Sequence, residues 1–402
     1  MSLNLFCSRR QRWLVLSAMC LLTAFGHPVQ SSLGSPTPIM VVSSLPTLHW
    51  NTISRLLVAR NRADPLFAVR TYALVSIAQY DALMVSGSQT GLEGGAAVAS
   101  ASAVILAHQF PNEVPYLANA LRSHLDQLTE TTPPPTVSLA TITGREIADS
   151  VLARREGDGS ADLSTRTGPA GTTGTTWVSN PRTSMLYPLR PNWGAVRPMS
   201  IESGHQFRAP APPTQNSAEL LKALEEVQTL ARIRTQGQRH LAYEWEDGMG
   251  SATPPGHWNS LAAILITEAG LSDLESARVL ATLNIVMFDA SIACWESKFF
   301  YWYPRPSQTD PTIRLAVPQP NFPSYPSGHA VFSGAASEVL AGFFPGRATR
   351  VREWAADAAW SRVLGGIHYR FDSEAGLSQG RAVARWVMPR VNQRTPLFRT
   401  LR

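Results

Sequence analysis

Cysteine is almost missing from this chain of 402 residues: Cys7, Cys20 and Cys294 are the three present. Two of them lie in the first 26 residues, so a chain matured beyond that point keeps Cys294 alone and has no disulfide framework. Stability then rests on the core, and Cys294, set in an apolar stretch, reads as a packed thiol rather than a nucleophile or metal ligand. Charge is scarce as well, at 16% of residues, with no stripe of Lys or Arg, which argues against a nucleic-acid partner. Apolar residues at 44% exclude a disordered chain. Alternating strand patterns are nearly absent and no repeat of fixed period occurs, so the fold class expected is all-α. After residue 26 no apolar run reaches the roughly eighteen residues of a membrane span.

What is present begins with an export signal over 1–26. Arg9, Arg10 and Arg12 form a basic start, Trp13 to Phe25 an apolar stretch too short for a comfortable span, and Ala24-Phe25-Gly26 supplies small residues for cleavage. Ser8-Arg9-Arg10 hints at a twin-arginine signal, from which Arg12-Trp13 departs. An uncleaved anchor is the other reading. Cleavage removes three arginines and no acid, taking the formal charge from +6 to +3. The expected location is periplasmic or secreted.

Residues 27–46, rich in Ser, Pro and Thr, read as a loose leader, and 47–155 as an N-terminal helical half. There the pattern predicts helices over 66–84, with Asp64-Pro65 as cap and first residue, and over 96–107, 114–128 and 137–155. Residues 156–215 are Gly-, Thr-, Pro- and Trp-rich and carry no period; such a segment either covers a cleft or forms a belt packing Trp177 and Trp193 on the core. A C-terminal helical core spans 216–395, with helices predicted over 218–232, 271–297, 328–343, 350–364 and 373–388. Ser272 and Glu275 form a capping box on the long one.

Three segments of that core carry the chemistry. Lys298 and Arg305 flank the run Phe299-Phe300-Tyr301-Trp302-Tyr303, and Pro304 and Pro306 stop the helix. A helix end and a stiff loop can thus aim two cations at one point, in surroundings dried by aromatics. A surface pair flanking an aromatic cluster is the alternative. Pro326-Ser327-Gly328-His329 precedes an apolar run, which predicts a helix N-terminus whose free N–H groups face an anion, with Ser327 as a hydroxyl donor and His329 able to trade a proton. An ordinary capped helix would look the same. Ser361-Arg362 lies on a helix closed by Gly365-Gly366, and His368 follows it, with Asp372 four residues on to accept its N–H and fix its tautomer, or else to cap the last helix.

The pattern K-x6-R-P, P-S-G-H, S-R-x5-H-x3-D resembles the signature of the superfamily uniting vanadium-dependent haloperoxidases, type 2 phosphatidic acid phosphatases and bacterial acid phosphatases. It covers residues 298–372. The resemblance implies an all-α helical bundle with its active site between helices of the C-terminal half. It implies that Lys298, Arg305, Ser327, Gly328 and Arg362 hold the equatorial oxygens of vanadate, or of phosphate at the same site. His368 would be the apical vanadium ligand or a phosphohistidine nucleophile, His329 the acid–base, and Asp372 the orienting carboxylate. Both chemistries put charge on three equatorial oxygens that cations and backbone donors stabilise.

The run from Phe322 to Ala330, Trp295, and His368-Tyr369-Arg370-Phe371-Asp372 are similar to the haloperoxidase branch. That branch implies a vanadate-dependent oxidation of halide by hydrogen peroxide, with Lys298 polarising the bound peroxide. An exported acid phosphatase acting through His368 is the alternative, and a non-catalytic anion binder the lesser one. Small molecules are the expected partners. Pro255-Gly256-His257-Trp258 reads either as a lining of the cleft mouth or as a packing turn, and His240 with Glu244 as a solvated helix face rather than a metal site.

Overall fold

Helices make up every named element among the described residues, which are 45–88, 93–166, 168–169, 174–179, 187–391 and 397 of a computed structural model. The N-terminal half contains α1 (Pro46–Arg60), α2 (Pro65–Ser88), α3 (Gly94–Gln109), α4 (Val114–Thr129) and α5 (Pro134–Arg154). The C-terminal half contains α6 (Ala218–Ile233), α7 (Gln236–Glu244), α8 (Thr253–Ala269), α9 (Asp273–Tyr301), the single turn α10 (Pro306–Thr309), α11 (Gly328–Phe343), α12 (Ala348–Leu364) and α13 (Arg370–Val391). The all-α expectation holds. The expected export signal and the leader up to residue 44 lie outside the described residues.

Local chemistry explains the starts. Asp64 Oδ1 accepts the N–H groups of Leu66 and Phe67 at 2.9 and 3.0 Å and opens α2. Ser272 and Glu275 form both halves of the capping box on α9. Helix α8 is missing from the sequence reading, α1 is covered there only by the broad helical half, and α7 only by the helix face read at His240 and Glu244. Pro254-Pro255-Gly256 looks like a turn, yet it lies in the first turn of α8, where a missing N–H costs nothing. The long helix also runs one turn past its expected end, to Tyr301, and stops at Trp302 in a left-handed conformation (φ 49°).

The axis of the molecule is α9. Its residues from Val279 to Trp295 are buried almost without interruption. The stretch beginning at Asp273 is the one helix among the described residues long and apolar enough to cross a membrane, but 94% of its apolar window is buried inside the protein, as in a core helix. One continuous apolar cluster runs from Leu48 to Leu397 and includes α9.

Helices α11 and α13 approach until their backbones touch. A Cβ on Gly334 would lie 2.4 Å from the Leu377 carbonyl oxygen, and one on Gly380 2.1 Å from that of Val331. Glycine permits this contact and no larger residue does. The approach draws the start of α11 beside the start of α13, and Ser327 N–H donates to the Asp372 carbonyl at 2.9 Å.

The irregular segment is a belt held by buried polar anchors. Asp289, inside α9, accepts the N–H groups of Met199, Ser200 and Ile201 at 2.8, 2.8 and 3.0 Å. Burial pushes its carboxyl up to about 6 even so. Trp193 Nε1 donates to Ser291 Oγ at 2.8 Å, and Trp177 is buried beside Phe299 and Trp302. Tyr301, Tyr325 and Tyr303 donate their hydroxyls to the carbonyls of Ala209, Pro210 and Pro213 at 2.7, 2.7 and 2.8 Å. Belt and cleft cover are both realised, because Leu189 of this segment reaches the cleft wall.

Candidate active site

A cleft of about 160 Å³ opens where α11, the turn after α12 and the loop before α8 converge. Gly328, His329, Arg362 and His368 line it, together with Trp295, Phe322, Phe332 and Leu189. Lys298, Arg305, Ser327 and Asp372 stand directly behind them, all fully buried. The three sequence segments therefore meet at one place.

His368 is the best-defined group. Its Nδ1–H donates to Asp372 Oδ2 at 2.8 Å, which leaves the lone pair on Nε2, and Arg305 Nη1 donates to that atom at 3.0 Å. Asp372 Oδ2 also accepts from Ser324 Oγ at 2.5 Å and from Tyr369 N–H at 3.1 Å. Burial, then the charges of Arg305 and Lys298, hold the imidazole well below its usual pKa, so the ring is neutral. Burial pushes the Asp372 carboxyl up.

The cations are tightly seated. Arg305 donates to the carbonyls of Phe322 and Ile367 and, like the Lys298 ammonium, lies 5.0 Å from the centre of the Phe322 ring. Lys298 spends its three protons on the carbonyls of Pro323, Ser324 and Pro326. Burial lowers the pKa of Lys298 and brings Arg305 to about 9 and Arg362 to about 10. Ser327 Oγ is buried and has no hydrogen-bond partner among the described residues, although Ser327 is the N-cap of α11. Gly328 is the first residue of that helix, where N–H groups lack intrahelical acceptors. An orphan hydroxyl, an open helix start, three buried cations and a neutral imidazole form a donor set suited to an oxyanion.

His329 sits in the first turn of α11 with Nε2 3.3 Å from the Glu246 carbonyl. Burial and then Arg362 press its pKa down to about 3. The sequence reading missed Asp247, the neighbour that opposes this. Asp247 lines the cleft in a left-handed conformation (φ 46°), and its charge acts on His257, His329 and Arg362. Burial raises its pKa, but those three partners outweigh burial and hold the carboxylate ionised. His257 Nδ1 lies 3.1 Å from Asp247 Oδ2, and the ring stacks on Trp245 at 4.2 Å. Asp247 belongs to the connection between α7 and α8, which carries neither a period nor a motif. Trp258 instead packs into the core, its Nε1 donating to Ser333 Oγ at 3.1 Å. His240 is exposed and belongs to no metal-ligating group among the described residues. Cys294 is buried, and burial holds its thiol up at about 11, as a packed residue requires.

Residues 278–396 match the PAP2 superfamily. The crystal structure of the first bacterial vanadium-dependent iodoperoxidase superposes with a TM-score of 0.75 at 23% identity, covering 85% of this chain and 94% of that one. A holo-type bacterial vanadium-dependent chloroperoxidase superposes at 0.68 and 15% identity, covering 83% and 93%. This is the vanadium haloperoxidase fold. In sequence, the vanadium chloroperoxidase of Curvularia inaequalis is 31% identical over 135 residues, 26% of this chain. The match spans 22% of that curated relative, about a fifth of its length.

Proposed function

We propose that this chain is a vanadate-dependent haloperoxidase, oxidising halide with hydrogen peroxide. The observation that carries the reading is the buried imidazole of His368, locked by Asp372 through Nδ1 and presenting Nε2 among Arg305, Arg362 and Lys298. The haloperoxidase fold and the aromatic wall of Trp295 and Phe322 support the branch.

In this reading Nε2 of His368 would ligate the vanadate. Arg305, Arg362, Ser327, Gly328 N–H and Lys298 would hold its oxygens. Vanadate held there supplies Lewis-acid activation of peroxide without changing oxidation state. Each residue has a separate task. Asp372 keeps the proton on Nδ1 so that Nε2 stays a donor of electrons. Arg305, whose Nη1 already donates to Nε2, would donate to an oxyanion held there. One Lys298 proton must leave a carbonyl to reach the ligand, which makes Lys298 a donor whose strength depends on the loop 323–326. His329, neutral and lining the same cleft as His368, would accept the proton of an entering peroxide. Phe322 and Trp295 exclude water and strengthen every charge contact around them.

A second reading is favoured by the PAP2 match: a phosphomonoesterase in which His368 attacks phosphorus and His329 protonates the leaving group. The two separate in one experiment on purified protein with and without orthovanadate. Halogenation that needs vanadate and peroxide is the expected result. Ester hydrolysis inhibited by vanadate would replace it with the phosphatase. Export of the chain through residues 1–26 belongs to the same proposal, and a secreted product shortened at that segment is the expected finding.

A further inference from the structure

A second cleft, of about 650 Å³, lies between α6, α7 and the loop 310–315, and shares no lining residue with the first. Arg232, Arg234, Arg239 and Arg314 line it. Its one carboxylate, Asp310, is already engaged by Gln228 Nε2 at 2.6 Å and by Thr312 N–H and Oγ1 at 2.9 and 2.7 Å. None of the four arginines pairs with a carboxylate among the described residues. Arg234 is the telling one. It is 7% exposed, its Nε is buried without a partner, and its Nη2 reaches only the Arg314 carbonyl, at 3.3 Å. Burial and the neighbouring Arg239 both act against its charge. A buried guanidinium with an orphan N–H, set among like charges, is costly unless an anion completes it.

We propose that this cleft binds a polyvalent oxyanion of the oligophosphate class. Planar guanidinium forks match phosphoryl oxygens two at a time, and four of them exceed what one tetrahedral group can use. The volume points the same way, since the catalytic cleft, shaped for a single tetrahedral oxyanion under the reading above, is about a quarter as large.

The test is isothermal titration of the full chain with inorganic tripolyphosphate, against orthophosphate, at low and high salt. Tripolyphosphate is expected to bind about tenfold or more tighter than orthophosphate and to weaken as salt rises. Arg232→Gln with Arg239→Gln, both exposed and safe for folding, is expected to weaken it about tenfold, and Arg234→Gln further. Arg305→Gln, which alters the catalytic cleft, is expected to leave it in place. The proposal is overturned by absent binding, by an affinity for orthophosphate equal to that for tripolyphosphate in the Arg305→Gln protein, by an unchanged Arg232→Gln/Arg239→Gln variant, or by loss in Arg305→Gln alone. Halide oxidation is assayed separately with vanadate and peroxide, so failure of this proposal and failure of the catalytic reading are distinguishable.

Discussion

His368 Nδ1 and Asp372 Oδ2 meet at 2.8 Å with both side chains closed to solvent, and this contact decides which nitrogen of the ring faces the cleft. Asp372→Asn keeps the shape but can present an N–H to Nδ1, which favours the wrong tautomer. Orthovanadate affinity should fall about 10- to 100-fold, as for other orienting carboxylates. Equilibrium dialysis with vanadate measures this directly, with circular dichroism to show that the helices persist. Wild-type affinity in the variant would remove Asp372 from the scheme.

The placement of that pair depends on the glycine contact between α11 and α13. Gly380→Ala puts a Cβ 2.1 Å from the Val331 carbonyl oxygen and 2.6 Å from the Ala335 nitrogen, both backbone atoms that cannot turn aside. Alanine improves helix propensity by about 1 kcal/mol at most, whereas overpacking costs about 1–3 kcal/mol and can cost more. A net loss in thermal midpoint is expected, together with weaker vanadate binding because the start of α11 shifts. A midpoint equal to or above that of the parent would show that the helices separate freely.

Much of this arrangement is legible in the residues. The start of α11 at Gly328 coincides with expectation because Pro326 and Ser327 end one conformation and begin another. The meeting of Lys298, Arg305, Arg362 and His368 rests on the family resemblance, since spacing alone leaves a surface pair or a core pair equally open. Asp247 is illegible for a physical reason. It is placed by left-handed backbone at Asp247 and Thr253, and nothing in Glu246-Asp247-Gly248-Met249 announces the histidines it faces. Asp289 also escaped the sequence reading, although there the residues did carry a signal. A lone carboxylate in the apolar stretch from Leu283 to Cys294 needs buried donors, and the belt supplies them.

Acid should loosen the N-terminal half through His124. Its ring lies 5.5 Å from His49 and 6.3 Å from Trp50, and burial, then His49, bring its pKa down to about 4. The unfolded chain binds this proton near the ordinary histidine pKa and the folded chain does not, so stability rises with pH across the window between the two values. It is lost as pH falls from about 6.5 towards 4. His124→Gln should flatten the slope of unfolding free energy against pH in that window. Parallel slopes in urea titrations of the two proteins would show that His124 titrates alike in both states.

Asp247→Asn should move the acid limb of turnover to lower pH. The carboxylate beside His329 raises the pKa of that ring, against burial and Arg362, which lower it. Removing the negative charge lowers the His329 pKa further. If neutral His329 accepts the peroxide proton, it then stays competent to a lower pH, and kcat/KM against pH should shift accordingly. His257 supplies an independent readout. Asp247 holds its pKa up against burial, so the variant should lower it, visible as an earlier loss of the imidazolium signal in proton NMR. A lowered His257 pKa with an unmoved acid limb would confine Asp247 to the His257 pair and assign the limb to a group other than His329.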